Sequence, residues 1–142
     1  MPIKILIIDD EPDMVKLLSM ILKSRKDYDV TTTINPIEGL ELVKKQKFDL
    51  VITDLKMPGL DGEEVLDSVK KHREDLPVIV ITAFSTVDSA LKLVKKGASD
   101  YITKTFRKEQ ILTAVDKAIQ MSKFQAENKI LREQIKEKTG QP

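Results

Sequence analysis

The sequence predicts an α/β fold, a doubly wound five-stranded parallel sheet with helices on both faces and an extended C-terminal helix. Two observations carry this prediction. Short apolar runs alternate five times with segments whose apolar residues recur at helical spacing. Several runs are apolar at nearly every position, which is typical of parallel strands buried on both faces by helices.

The first half of the chain predicts three strands and two helices. Residues 3–8 are mostly isoleucine and leucine and predict a buried strand, after which Pro12 suits the first turn of a helix. A weaker strand is predicted over residues 30–34, and Asn35-Pro36 begins a second helix. Residues 48–53 predict the third strand, followed by a turn-rich segment over 54–62.

The second half repeats the alternation. A helix is predicted over residues 63–73, and the nearly all-apolar segment 77–82 predicts the fourth strand. A helix over residues 87–96 ends at Gly97, and residues 101–103 predict a short fifth strand. The last helical pattern begins near Lys108.

Composition excludes several classes of protein. A length of 142 residues with 41% hydrophobic content suits one domain with a core. The net charge of +1 offers no general attraction to nucleic acid or membrane, so we expect neither to bind directly. The absence of cysteine excludes disulfides, thiolate zinc sites and cysteine nucleophiles. No apolar run approaches the length of a membrane span and no signal-peptide pattern occurs, so we expect a cytoplasmic protein.

Charged and hydroxyl side chains follow the predicted strands. Asp9 and Asp10 end the first strand, Asp54 the third, Thr82 the fourth and Lys104 the fifth. Doubly wound sheets place their sites beyond the carboxyl ends of the strands, so these side chains converge. Crowded carboxylates repel one another unless a divalent cation lies among them, and their hard oxygens suit Mg²⁺. Together with a lysine and a hydroxyl they predict a phosphoryl-binding site, in which a central carboxylate can act as the nucleophile.

Four motifs then resemble one family. They are IIDDEP (7–12), VITDLKMPGLDG (51–62), VIVITA (78–83) and YITK (101–104). In this order, each at the end of a predicted strand, they resemble the CheY-like receiver domain of bacterial two-component response regulators, over residues 3 to about 119. The resemblance implies a flavodoxin-like strand order of 2-1-3-4-5.

The resemblance also implies roles for the acidic residues and a cofactor. Asp54 matches the phosphoacceptor, which takes its phosphoryl group from the phosphohistidine of a sensor histidine kinase. Asp10 matches the family's residue that binds Mg²⁺ directly, and Asp9 matches the residue that binds it through water. The backbone carbonyl of Lys56 matches the third protein ligand. Glu11 is assigned instead to the helix start beside Pro12.

Three further residues match the family's switch. Thr82 matches the family's residue whose hydroxyl turns toward the phosphoryl group. Tyr101 matches the aromatic residue that becomes buried as this hydroxyl moves. Lys104 is similar to the cation that pairs with the phosphoryl group, or with Asp54 in its absence. The family usually has proline after this lysine, joined by a cis bond, whereas this chain has Thr105. Either a cis or a trans bond is possible there, and we expect the change to alter the hold on Lys104 and the phosphorylation kinetics.

The last helix extends beyond a domain predicted over residues 1–119. Residues 120–142 predict a helical coiled-coil linker, with apolar steps of three and four at Met121, Phe124, Asn128, Leu131 and Ile135. Asn128 occupies the a position of this heptad pattern, where a buried asparagine favours a parallel dimer in one register. The alternative is a solvated helix that frays, because two heptads are marginal alone.

The segment AENKILREQI resembles the helical linker of NtrC-type (nitrogen-regulator) sigma-54-dependent activators. No GxxxxGK[ST] loop occurs, so we expect the ATPase and DNA-binding output domains to lie outside this chain. Phosphorylation is then predicted to change the state or geometry of a homodimer and so to control transcription.

Two other functions remain as alternatives. A magnesium-dependent phosphohydrolase of the haloacid-dehalogenase type also uses an aspartate nucleophile and a lysine, but it needs an acid two residues after the nucleophile, where this chain has Lys56. An interaction module with an inactive site is the third possibility.

For the receiver itself, the resemblance implies a signalling module rather than an enzyme. Its chemistry is limited to phosphotransfer to Asp54 and loss of that phosphoryl group.

Overall fold

The computed structural model describes residues 2–83 and 86–139, without the side chains of Val87, Lys129 and residues 135–139. Within these residues, five strands alternate with five helices. They are β1 (Ile3–Ile8), α1 (Pro12–Lys23), β2 (Tyr28–Thr33), α2 (Pro36–Lys45), β3 (Leu50–Thr53), α3 (Gly62–His72), β4 (Val78–Thr82), α4 (Val87–Lys95), β5 (Asp100–Thr103) and α5 (Lys108–Thr139).

The strands form one parallel sheet in the order β2-β1-β3-β4-β5. This order confirms the predicted fold class and topology. The second strand begins at Tyr28, earlier than predicted, because the ladder with β1 starts at the pair Ile3 and Tyr28. The third begins at Leu50, later than predicted; Phe48 is fully buried but precedes the paired segment.

Two apolar cores cover the two faces of the sheet. Along β1, Ile5 and Ile7 point to the core that α1 and α5 cover. The alternate residues Leu6 and Ile8 point to the core covered by α2, α3 and α4. This alternation follows from the two-residue period of a strand, and it explains why β1 is apolar at successive positions.

The segment between β3 and α3 is packed closely against the end of β3. Gly62 donates its backbone N–H to the carbonyl of Leu55 at 2.7 Å. A Cβ atom at Gly62 would lie 2.6 Å from the Cα of Leu55 and would overlap the carbonyl oxygen of Asp54. Asp61 caps α3 by accepting the N–H of Glu64 at 2.9 Å. Only glycine allows this approach, which holds the segment that follows Asp54.

The first part of α5 is anchored to the domain. Ile111, Val115 and Ile119 are buried against the sheet. Asp116 accepts hydrogen bonds from the hydroxyl of Tyr28 and, at 2.9 Å, from the guanidinium of Arg25. These contacts connect the helix to the start of β2 and to the turn before it, a connection that the sequence did not predict.

The second part of α5 continues as one helix past residue 119. Within the described residues, α5 has no break at residue 119, so the division into a domain over 1–119 and a linker over 120–142 stays a prediction. In the described part of the chain, no helix combines the length and apolar character needed to cross a bilayer.

Candidate functional site

The carboxyl ends of four strands, β1, β3, β4 and β5, bring the predicted residues together. Asp9 directly follows β1, Asp54 follows β3, Thr82 is the last residue of β4, and Lys104 follows β5. The backbone N–H of Asp54 donates to the carbonyl of Ile8 at 3.1 Å, and that of Lys104 to Thr82 at 2.8 Å. Backbone pairing thus extends one residue beyond the strands and fixes where the charged side chains begin.

The ammonium of Lys104 lies among three carboxylates. Its Nζ is 2.9 Å from Oδ2 of Asp54, 3.2 Å from Oδ2 of Asp9 and 3.7 Å from Oε1 of Glu11. The Lys104 side chain is 10% exposed, and those of Asp9 and Asp54 are 2% and 6% exposed. Apart from Glu11, this ion cluster is buried, and loss of the lysine would leave the carboxylates of Asp9 and Asp54 buried without their opposing charge.

Each buried carboxylate divides its two oxygens in the same way. Oδ1 of Asp9 accepts the backbone N–H of Glu11 at 3.0 Å, and Oδ1 of Asp54 accepts that of Lys56 at 3.2 Å. Both Oδ2 atoms accept from Lys104. The backbone donors therefore set the orientation of the two carboxylates, and the lysine supplies the opposing charge.

The electrostatics of the cluster favour additional positive charge. Burial raises the pKa of Asp9 above its ordinary value, the Glu11 N–H opposes this, and the charge of Asp54 adds to the rise. Burial works to lower the pKa of Lys104, but its hydrogen bond and charge pairing with Asp54 and Asp9 outweigh this effect, and the pKa is raised. Three carboxylates, those of Asp9, Glu11 and Asp54, surround the single ammonium of Lys104, so the site is short of cationic charge.

The acidic residues suit a hard divalent cation. One carboxylate oxygen from each of Asp9, Glu11 and Asp54 lies within 4.8 Å of the other two. Oxygens at this separation can share one ion. Asp10 is partly exposed and is outside this set of described side chains. The assignments of Asp10 and of the Lys56 carbonyl as ligands stay predictions.

Glu11 is the site residue that sequence reasoning missed. It occupies the N-cap position of α1, as predicted, but its side chain makes no capping hydrogen bond. Its carboxylate lies beside Lys104 instead. Its position directly after two site acids was the available signal, yet only the tertiary structure shows where the side chain turns.

The two predicted switch residues lie on neighbouring strands. Thr82 is fully buried and pairs with Thr103. Tyr101 is half-buried and packs against the core beneath α2, α3 and α4. Their movement on phosphorylation stays a prediction. Of the two alternatives for the bond between Lys104 and Thr105, the structure has the cis form, although threonine stands where the family usually has proline.

The predicted linker stripe is solvent-exposed in the single chain. Met121, Phe124 and Leu131 are each at least half exposed, and Asn128 is partly exposed. The side chain of Ile135 lies outside the described residues.

The sequence matches one protein family and several curated relatives. The family model described as "Response regulator receiver domain" matches residues 5–116. The transcriptional regulatory protein GlrR of Escherichia coli (strain K12) is 34% identical over 121 residues, which are 85% of this chain and 27% of that protein. The chain thus spans about a quarter of this curated relative.

Solved structures share the fold. The structure of NtrX from Brucella abortus superposes with a TM-score of 0.86 at 29% identity, covering 92% of this chain and 30% of that one. The beryllofluoride-activated NtrC4 receiver domain dimer has a TM-score of 0.79 at 33% identity, covering 84% of this chain and 98% of that one. The relatives thus include NtrC-type regulators. By its matched residues, its strand order and its acidic edge, this chain belongs to the receiver domain family of two-component response regulators.

Proposed function

We propose that, in the cytoplasm, Asp54 accepts a phosphoryl group from the phosphohistidine of a sensor histidine kinase, and that this modification controls an output domain outside this chain. The observation that carries the proposal is the environment of Asp54, which lies at the end of β3 between the N–H of Lys56 and the ammonium of Lys104. A carboxylate held from both sides is oriented for attack.

The transfer needs little from the protein beyond position and charge. A carboxylate oxygen of Asp54 forms a bond to phosphorus as the bond from phosphorus to the histidine nitrogen breaks. The nitrogen leaves with the electron pair, and the imidazole takes a proton from solvent. Lys104 then pairs with the phosphoryl oxygens, and the Thr82 hydroxyl turns toward them.

The residues present fit a bound Mg²⁺. Asp9, Asp10, Asp54 and the carbonyl of Lys56 would hold it, and when bound it neutralises charge on the phosphoryl oxygens. The pairing at the site supports this, because the one ammonium of Lys104 faces the two buried carboxylates of Asp9 and Asp54 and cannot balance both charges. A phosphohydrolase has no comparable support, since Lys56 stands where that mechanism needs an acid.

The test is phosphorylation by acetyl phosphate with Mg²⁺, followed by intact-protein mass measurement. We expect one added phosphoryl group in the wild type and none in Asp54→Asn. Asp13→Asn, which removes an exposed carboxylate from the first turn of α1, is the matched control and should be modified normally. An unmodified wild type would refute the proposal, and multiple turnover of phosphate esters would favour the hydrolase.

We also propose that the chain forms a parallel homodimer through the second part of α5. The supporting observation is the exposure of Met121, Phe124 and Leu131 on one stripe of the helix. Exposed apolar side chains at alternating steps of three and four are typical of a coiled-coil seam. Phosphorylation would then alter the relative orientation of the two receivers in that dimer.

Light scattering and distance measurements test the dimer. Leu131→Lys places a charge in the seam and should shift the chain toward monomer, whereas Ala126→Lys, at an exposed position on the far side of the helix from the stripe, should not. Spin labels on the receivers should report different distances with and without beryllofluoride. A monomeric wild type would refute the dimer. Identical distances with and without beryllofluoride would refute its switching.

A further inference from the structure

Glu11 directs its carboxylate to the phosphorylation site instead of capping its own helix. Its Oε1 lies 3.7 Å from the Nζ of Lys104, and its side chain is 61% exposed. The other two carboxylates on this ammonium, Asp9 and Asp54, are buried. Glu11 is therefore the member of the ion cluster with room to move.

A divalent cation at this site competes with Lys104 for the same oxygens. Oδ1 of Asp9 and Oδ1 of Asp54 each hold a backbone N–H, and both Oδ2 atoms hold the ammonium. A cation bound by these two carboxylates would share their oxygens with Lys104 and weaken the hold of both Oδ2 atoms on the ammonium. The Lys104 side chain is only 10% exposed, so its charge then needs another partner.

We propose that Glu11 is a positioning residue that takes over the Lys104 ammonium when a divalent cation binds to Asp9 and Asp54. This inference rests on the proposed function, because it concerns the cation of that site. The exchange keeps Lys104 at the edge of the sheet, where it can reach a phosphoryl group on Asp54. Glu11 thereby couples cation binding to the position of the lysine.

The first measurement is the affinity of the full chain for Mg²⁺ by isothermal titration calorimetry. Glu11→Gln should weaken binding about threefold, the size expected for one partly exposed ion pair. Glu11→Asp keeps the charge but withdraws it by one methylene, and should weaken binding to the same extent. Asp13→Asn removes an equal charge from the first turn of the same helix and should leave the affinity unchanged.

A second background separates exchange from simple attraction between Glu11 and the cation. In Lys104→Met, Glu11→Gln should have no further effect on Mg²⁺ affinity, because the ammonium that it receives is gone. An effect that persists there overturns the proposal, and so does a Glu11→Asp variant that binds like the wild type. The Glu11→Asp comparison decides the matter if Lys104→Met does not fold.

Two outcomes distinguish this inference from the proposed function. If the wild type binds no Mg²⁺ and acetyl phosphate adds no mass, both fail. If the wild type binds Mg²⁺ and is phosphorylated, but Glu11→Gln and Asp13→Asn bind Mg²⁺ equally, the exchange alone is refuted.

Discussion

Lys104→Met removes the cation that lies between two buried carboxylates while keeping an unbranched side chain of similar length. Nζ of Lys104 is 2.9 Å from Asp54 and 3.2 Å from Asp9, and the three side chains are 10% exposed or less. The variant therefore leaves two neighbouring carboxylates buried without their opposing charge. We expect it to fold with a large loss of stability in the absence of divalent cations.

The magnitude follows from the burial of the pair. Removing one partner of a buried ion pair costs about 3–5 kcal/mol. The lower end applies here, because Asp9 already has a raised pKa and can take up a proton in response. A loss of about 3 kcal/mol, with a urea m-value of about 1.5 kcal/mol/M, lowers the unfolding midpoint by about 2 M.

The loss should depend on pH with a definite sign. In the variant, the charge of Lys104 no longer lowers the pKa of Asp9, so this pKa lies further above its unfolded value and the folded state binds more protons than the unfolded state. Stability relative to the wild type then falls as pH rises from about 4, the ordinary aspartate pKa, toward neutrality. The deficit should be smallest near pH 4 and largest at pH 7, and Mg²⁺ should reduce it.

Urea unfolding monitored by circular dichroism at several pH values measures this effect. Lys92→Met is the matched control, since Lys92 is 62% exposed and pairs with Glu63 at 3.3 Å. An exposed pair of this kind is worth at most about 1 kcal/mol. Equal losses in the two variants, or a Lys104→Met deficit that does not change between pH 4 and pH 7, would refute the buried-cluster reasoning.

Two further substitutions probe contacts outside the ion cluster. Gly62→Ala forces a Cβ atom against the backbone of residues 54 and 55, so we expect a loss of about 1–3 kcal/mol in urea unfolding and slower modification of Asp54; wild-type stability would contradict the close packing. Asp116→Asn weakens the hydrogen bonds from Tyr28 and Arg25, so thermal unfolding should show a loss of about 1 kcal/mol. An equal loss in Asp13→Asn would show that the Asp116 contacts contribute nothing specific.

Much of the fold could be predicted because its determinants are local. Apolar runs and helical periodicity located ten elements, and the continuous apolar runs indicated burial on both faces. Boundaries were less predictable where pairing partners decide them. Tyr28 belongs to a strand because Ile3 lies opposite it, whereas Phe48 is equally strand-like but precedes the ladder.

The candidate site was predictable for a similar reason. Parallel strands bring their carboxyl ends to one edge, so residues far apart in sequence could be placed together from strand ends alone. This reasoning places Cα positions but not side-chain directions. Glu11 was assigned to a helix start on its sequence position, and the path of its side chain toward Lys104 depends on β5, about 90 residues later.

Sequence alone was enough to predict which elements form, that the strands are buried on both faces, and which charged residues collect at one edge. Those properties depend on periodicity and on residues that directly follow strands. The three-dimensional fold was needed to show how the charges pair, which oxygen of each carboxylate holds which donor, and that Glu11 joins the cluster. Distances of a few ångströms between residues on separate strands decide such pairings, and no local pattern encodes them.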